Sequence, residues 1–349
     1  MSNQQIEDTS SDSAITVSCA PEDVVSVGRA FHQRRTCRIV VDSGGDFAPE
    51  VLHRLGVEFI PFTYVTPEGE KADDLWQETD PHEFYEHLRK NPDTHYSTCA
   101  VTPGRYMEYF EEAAKDGLPT IYLGLTAGLS SSIHNARQAA DMVRAKYPDF
   151  ELYVVDTRCD SAACELLAIE VVRQATRGLT ARELYEWARE ARYFIHGYFT
   201  LDGFSALAAG GRIPPAAATV GGKLDIKPEL SYDTNGALSL CGMCRGRKKA
   251  LRAIVQDFKE NYTHETSLPL AIVSSDAEKD ADWLEREVRK QDGCSDVTII
   301  RSQVSPILGS HVGPGMVALV FWGNDRRERL SFTDKLARKV RGRRDETNA

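Results

Sequence analysis

The residues best suited to chemistry lie in six short segments, not in one contiguous motif. Asp42-Ser43-Gly44-Gly45-Asp46 follows the apolar run Arg38 to Val41. The C-terminal end of such a strand is where open α/β sheets place ligands. The segment is neither G-x-G-x-x-G nor a P-loop, because no Gly-Lys-Ser/Thr follows. A ligand role and a tight turn with Asp46 capping the next helix both stay open. In Ser97 to Gly104, Thr102 reads as a helix cap, which leaves Thr98 just before a helix N-terminus with its hydroxyl free; a structural threonine is the alternative. Leu125 to Ser132 again joins a strand to a helix. Its hydroxyls, Ser130 among them, and its backbone N–H groups suit an anion. It is one glycine short of the G-x-S-x-G elbow of serine hydrolases, having Gly128 but Ser132 at the second glycine.

Three further segments add cations. Gly210-Gly211-Arg212 allows close backbone approach beside a fixed guanidinium. His311 sits in Gly309 to Gly315, which reads as a loop framed by Gly313, Gly315 and Pro314 next to a strand. Arg245-Gly246-Arg247-Lys248-Lys249 opens a helix, where positive charge opposes the dipole, so something beyond the helix must favour it. A solvated face is the ordinary reading of such a run.

Other motifs carry less. His82 and His87 are five residues apart, about 140° beyond a full helical turn, and cannot share one zinc. Cys241 and Cys244 form C-x-x-C with no second ligand pair at zinc spacing, and near the end of a strand they read as packing residues. Asn261-Tyr262-Thr263 matches a glycosylation acceptor that a cytoplasmic protein does not use.

The elements that must position these segments follow from periodicity and punctuation. Strands are expected at Arg38 to Val41, Val57 to Val65, Thr120 to Leu123 and Leu152 to Val155. Helices are expected over Ala48 to Leu55, from Asp80-Pro81, from Thr102-Pro103, through Ala139 to Val143, and over Ser161 to Arg177 and Ala181 to Arg192. Alternating strands and helices imply a doubly wound parallel sheet. From His196 the texture changes. Gly197 to Phe204 alternates, Asn235-Gly236 marks a hairpin, and strands are expected at Ala237 to Met243, Leu268 to Ser274, Val297 to Arg301 and Val317 to Trp322. Helices are expected over Arg247 to Asn261 and Ala277 to Lys290. The expected fold is therefore an N-terminal α/β domain over 37–195 and an α+β domain with a largely antiparallel sheet over 196–349. Residues 1–36 are an extension, partly disordered, with a short helix over Pro21 to Gln33.

Composition agrees. The chain has 349 residues, 42% hydrophobic and 27% charged, as two globular domains require. No apolar run approaches the ~20 residues of a membrane span. The polar N-terminus lacks an apolar signal core, and the eight cysteines are dispersed, so a reduced cytoplasmic protein is expected. A net charge of −10 argues against non-specific nucleic-acid binding, although Arg326 to Arg344 carries nine basic and two acidic residues.

Taken in order, Val41-Asp42-Ser43 with Asp46, Thr98 before Thr102-Pro103-Gly104, Gly128-Leu129-Ser130, Gly210-Gly211-Arg212-Ile213, Ile226-Lys227-Pro228, Arg245 to Ala250 and Gly309 to Gly315 resemble the DegV family of bacterial fatty-acid-binding proteins. The resemblance spans residues 38 to about 322. It implies one long-chain fatty acid buried between two domains, no cofactor, and presentation of that acid to a separate ATP-dependent kinase subunit that makes an acyl phosphate. Carried over residue by residue, Thr98, Ser130, His311 and Arg212 hold the carboxylate. Asp42, Ser43, Gly128, Gly211 and Gly313 shape the pocket loops, and Arg245, Arg247 and Lys248 lie near the kinase-docking surface. The family's T-S-Q-P-S becomes Thr98-Cys99-Ala100-Val101-Thr102, and its S-S-G-L-S-G-T becomes Thr126 to Ser132, so loop shape differs while both anchoring hydroxyls remain. The expected protein is a carrier with no catalytic residues, no metal, no nucleic-acid partner and no integral membrane association. The alternatives are a lipid esterase, with Ser130 as nucleophile and His311 as base, and a nucleic-acid regulator acting through the basic tail.

Overall fold

The computed structural model describes residues 28, 29, 31, 36–213 and 225–329. Most of the helix expected over Pro21 to Gln33, together with Cys19 and the basic tail beyond residue 329, lies outside the described residues.

The first half is built on a four-stranded parallel sheet. Its strands are β1 (Arg38–Asp42), β2 (Glu58–Ile60), β6 (Thr120–Gly124) and β7 (Leu152–Asp156), in the order β2-β1-β6-β7. β1 and β6 are buried at every residue, which is why they read as continuous apolar runs without alternation. Helix α1 (Pro49–Leu55) follows β1. The expected single run from Val57 to Val65 is divided: Pro61 ends β2, and β3 (Thr63–Thr66) leaves for a separate antiparallel sheet with β4 (Gly69–Ala72) and β5 (Ser97–Cys99), in the order β4-β3-β5. Proline cannot donate to a ladder, so it marks the change of sheet.

Between β4 and β5 runs α2 (Pro81–Lys90), with Asp80 accepting from the Glu83 N–H as its cap. Helix α3 (Pro103–Asp116) starts as expected at Thr102, whose hydroxyl accepts from the Arg105 N–H, and ends at Gly117 in the left-handed region. Then come α4 (Ser132–Lys146), α5 (Ala162–Thr176) and α6 (Ala181–Ala191), the last opened by a capping box of Thr180 and Glu183.

The second half carries a six-stranded sheet of order β10-β9-β8-β13-β11-β12. Its strands are β8 (Ile195–Thr200), β9 (Ile226–Tyr232), β10 (Leu238–Arg245), β11 (Leu270–Ser274), β12 (Ile299–Gln303) and β13 (Val317–Trp322). All pairs are antiparallel except β11 with β12. The short helix α7 (Ser205–Ala209) follows β8. Helices α8 (Arg247–Asn261) and α9 (Glu278–Arg289) cover one face through Leu251, Ile254, Phe258, Leu284 and Val288. Helix α10 (Pro306–Val312) precedes β13. The alternation read over Gly197 to Phe204 does not describe β8, which is buried throughout because helices cover both faces of its sheet.

The helix on the other face is α5. Twelve of its fifteen residues are buried, and it packs against β6 of the first sheet and against β8, β11 and β13 of the second. A helix buried on nearly every side belongs in a core, and here that core is shared by the two sheets. Among the described residues no helix is long and apolar enough to cross a membrane.

Candidate functional site

The parallel sheet changes direction between β1 and β6. The loops leaving these neighbouring strands meet at a topological switch point. Asp42, 2% exposed at the end of β1, ties them together: its carboxyl accepts from the Gly44 N–H (2.8 Å), the Leu125 N–H (3.1 Å) and the Tyr122 hydroxyl. Burial raises its pKa to about 6, although these three donors pull it down. The Ser43 hydroxyl accepts from the Phe62 N–H (2.8 Å) and fixes the chain leaving β2. Asp42 and Ser43 therefore brace the loops and do not line the cavity between the two halves.

That cavity has a volume of about 280 Å³. Its apolar wall includes Phe62, Leu125, Leu129, Phe199, Ile307 and Met316, drawn from both halves of the chain. Thr98, Ser130, Arg212 and His311 line it as well. The structure thus brings together four side chains that the sequence separates by more than two hundred residues.

Each of the four arrives differently. Thr98 is on β5, paired with Tyr64, and not at a helix start. Its hydroxyl is not free, since Oγ1 lies 2.8 Å from His311 Nε2. His311 is in the last turn of α10, not in a loop. Ser305 caps that helix, Pro306 opens it, and its loop begins only at Gly313. The Tyr85 hydroxyl donates to Val304 O (2.6 Å) just before α10, and a Cβ at Gly309 would fall 2.4 Å from that hydroxyl, so α2 sets the height of α10. Arg212 follows α7 through Gly211, which has φ 73°, and its guanidinium donates back to Gly210 O. Gly210 lies against the His311 ring; a Cβ there would sit 2.4 Å from Nδ1. Ser130 donates to Ser132 Oγ (3.0 Å) and accepts from the Ser132 N–H (3.2 Å). Gly128 packs on the β9–β10 hairpin, where a Cβ would lie 2.5 Å from Gly236 backbone. Gly211 and Gly313 supply positive φ at the ends of α7 and α10 and do not touch the cavity.

Electrostatics follow from burial. Desolvation, and then the neighbouring Arg212 charge, lower the His311 pKa to about 4, so its ring is neutral at neutral pH. Burial also lowers the Arg212 pKa from its ordinary value. His311 Nδ1 is buried and has no hydrogen-bond partner among the described residues. With the proton on Nε2, the imidazole donates to Thr98 Oγ1 and leaves the Thr98 hydroxyl hydrogen for a third group in the cavity. The site thus offers an anion the Thr98 hydroxyl and the Arg212 guanidinium beside an apolar wall, with the Ser130 hydroxyl engaged by Ser132.

Four acidic or hydroxyl residues on the wall were not among the residues expected to hold the acid or shape its pocket loops: Asp46, Ser131, Asp160 and Ser161. Asp46 does not cap α1, whose cap residue is Ala48. It accepts from the Ser305 N–H (2.7 Å) and the Ser161 hydroxyl (2.5 Å), joining β1's loop to the starts of α10 and α5. Burial raises its pKa to about 7. Asp-Ser at a strand-to-helix turn after β7 was the available signal, repeating the pattern after β1.

The remaining expectations divide. Arg245 and Lys248 are exposed. Arg247 is committed inward, with Nε 2.7 Å from Asp280 and Nη2 donating to Gly315 O (2.6 Å), which answers the adverse helix dipole. Cys241 is exposed on the edge strand β10 and is not a packing residue. Asn261 is 1% exposed, inaccessible as a glycosylation acceptor. Among the described residues no group of three or more metal-ligating side chains is assembled.

The family model for DegV, described as a family of uncharacterised proteins, matches residues 36–324. A DegV domain-containing protein of Clostridium perfringens is 30% identical over 288 residues, covering 82% of this chain and 98% of that one. A DegV lipid binding protein from Thermotoga maritima superposes with a TM-score of 0.70 at 25% identity, covering 83% of this chain and 99% of that structure. The Streptococcus pneumoniae fatty acid kinase B3 protein, solved with linoleic acid, shares the fold with a TM-score of 0.70 at 21% identity, covering 83% of this chain and all of that one.

Proposed function

The chain belongs to the DegV family, and from that premise we propose that it carries one long-chain fatty acid in the cavity between the units 37–195 and 196–349. The observation that carries this reading is the Thr98–His311 pair, with Arg212 and Ser130, on the wall of an otherwise largely apolar cavity. A fatty acid needs both parts. Each buried CH₂ contributes ~0.8 kcal/mol, so a long chain gains on the order of 10 kcal/mol before association costs. A carboxylate cannot follow it out of water without charge-assisted donors. Thr98, relayed from neutral His311, donates, Ser130 donates on turning its hydroxyl from Ser132 to the acid, and Arg212 balances the charge. The protein presents the acid to a separate ATP-dependent kinase subunit, and the exposed Arg245 and Lys248 mark the face that meets it. It has no catalytic residue of its own and needs no cofactor.

The esterase alternative is not supported by the same geometry. His311 faces Thr98 and not Ser130, Ser130 turns to Ser132, and no carboxylate orients the ring among the described residues. A nucleophile needs its base within hydrogen-bond reach.

The test is to denature the purified protein, extract it with organic solvent and identify the extract by mass spectrometry. Near-stoichiometric fatty acid is expected, and a Thr98→Ala, Ser130→Ala double variant should retain at least about tenfold less. A protein that is empty and takes up no added fatty acid would falsify the carrier reading.

A further inference from the structure

The cavity wall has a second polar region. Asp46 and Ser161 satisfy each other, and Asp46 is completed by the Ser305 N–H. Asp160 is different. One of its oxygens accepts from the Tyr232 hydroxyl (2.6 Å), and no donor among the described residues reaches the other. Asp160 lines the cavity, whose wall is otherwise largely apolar. A plain hydrocarbon chain laid along this wall would strip water from that oxygen and return no hydrogen bond. Burying an acceptor without a donor is costly, and a site built around a hydrogen bond discriminates against the analogue that lacks it.

We infer that the cavity selects an acyl chain bearing a hydroxyl group along its length, with Asp160 as the acceptor of that hydroxyl. The inference rests on the carrier reading above and narrows its ligand class. The hydroxyl of the neighbouring Ser161 already donates to Asp46, so it does not compete for the Asp160 acceptor.

Delipidated full-length protein is titrated by calorimetry with octadecanoic acid and with a panel of hydroxyoctadecanoic acids carrying the hydroxyl at mid-chain or terminal positions. At least one isomer should bind about tenfold tighter than the unsubstituted acid. Asp160→Ala should bring that ratio to about one while still binding the unsubstituted acid. Asp160→Asn retains an acceptor for Tyr232 and, as the milder change should folding suffer, should lower the ratio several-fold. If every hydroxy acid binds no better than the unsubstituted one, or the preference persists unchanged in both variants, the inference is overturned and the carrier reading stands. If no acid of either kind binds, both are overturned.

Discussion

Side chains here act less by what they are than by what their neighbours already occupy. Thr98 and Ser130 are both hydroxyls on the cavity wall, yet Thr98 is backed by His311 and Ser130 by Ser132. Asp42 and Asp46 belong to one loop; the first is consumed in bracing, and the second joins three elements at the wall. Asp46 also carries a pH consequence. Its folded pKa of about 7 lies above the ordinary 3.8, so the folded state favours the protonated form. The stability contribution is complete below the ordinary value and is lost as pH rises through about 7. Thermal melts should therefore fall between pH 5 and pH 8, by on the order of 2–4 kcal/mol from this group. Asp46→Asn, uncharged throughout, should flatten that slope; a variant with the same pH dependence as the parent would remove Asp46 from the account. Glu165, fully buried with a pKa raised to about 8, adds in the same direction at higher pH.

At the scale of elements, the site depends on where α10 rests. Three contacts set it: Asp46 to the Ser305 N–H, Tyr85 to Val304 O, and the bare face of Gly309 against the Tyr85 ring. Gly309→Ala places a methyl carbon 2.4 Å from the Tyr85 hydroxyl, so α10 or α2 must shift. Overpacking of this kind costs about 1–3 kcal/mol. The shift also carries His311 away from Thr98, so bound acid should fall several-fold more than melting alone explains. Occupancy by mass spectrometry, beside the melt, separates the two; full occupancy in a destabilised variant would show that α10 does not set the site. The Gly309 to Gly315 segment reads as a loop because glycines punctuate it, whereas tertiary packing and the Ser305–Pro306 start carry the helix through to Val312. The basic run at Arg245 behaves similarly: Arg247 is held by Asp280 at the start of α9, a partner 33 residues away that no local rule names.

For the whole molecule, α5 is the piece that makes two sheets one structure. It is buried against β6 on one side and β8, β11 and β13 on the other. Leu167, 0% exposed on this helix, should cost about 2–5 kcal/mol on truncation to alanine. Because both halves lean on α5, near-ultraviolet and far-ultraviolet transitions should stay coincident as they move down together. Separate transitions would mean that each half holds its own core. The same arrangement leaves the cavity between the two halves, walled by residues of β5, β8 and α10 and by loops leaving the parallel sheet.

Much of this was legible from residue order alone. The starts at Asp80-Pro81 and Thr102-Pro103, the strands at Arg38, Thr120, Leu152 and Val317, and the hairpin at Asn235-Gly236 are local decisions, made by proline, caps, glycine and apolar runs within a few residues. The ordered motifs also identified the family, and with it the four side chains that share the cavity. What order could not decide was anything requiring contact across the chain. It did not show that Pro61 sends β3 to a third sheet, that the Thr98 hydroxyl meets His311, or that Asp46 serves Ser161 and Ser305 instead of its own helix. Nor did it show that Asp160 lines the cavity with one oxygen held by Tyr232. Those are settled by burial, where a polar group must find whichever partner the packing brings, and that partner lies anywhere in the chain.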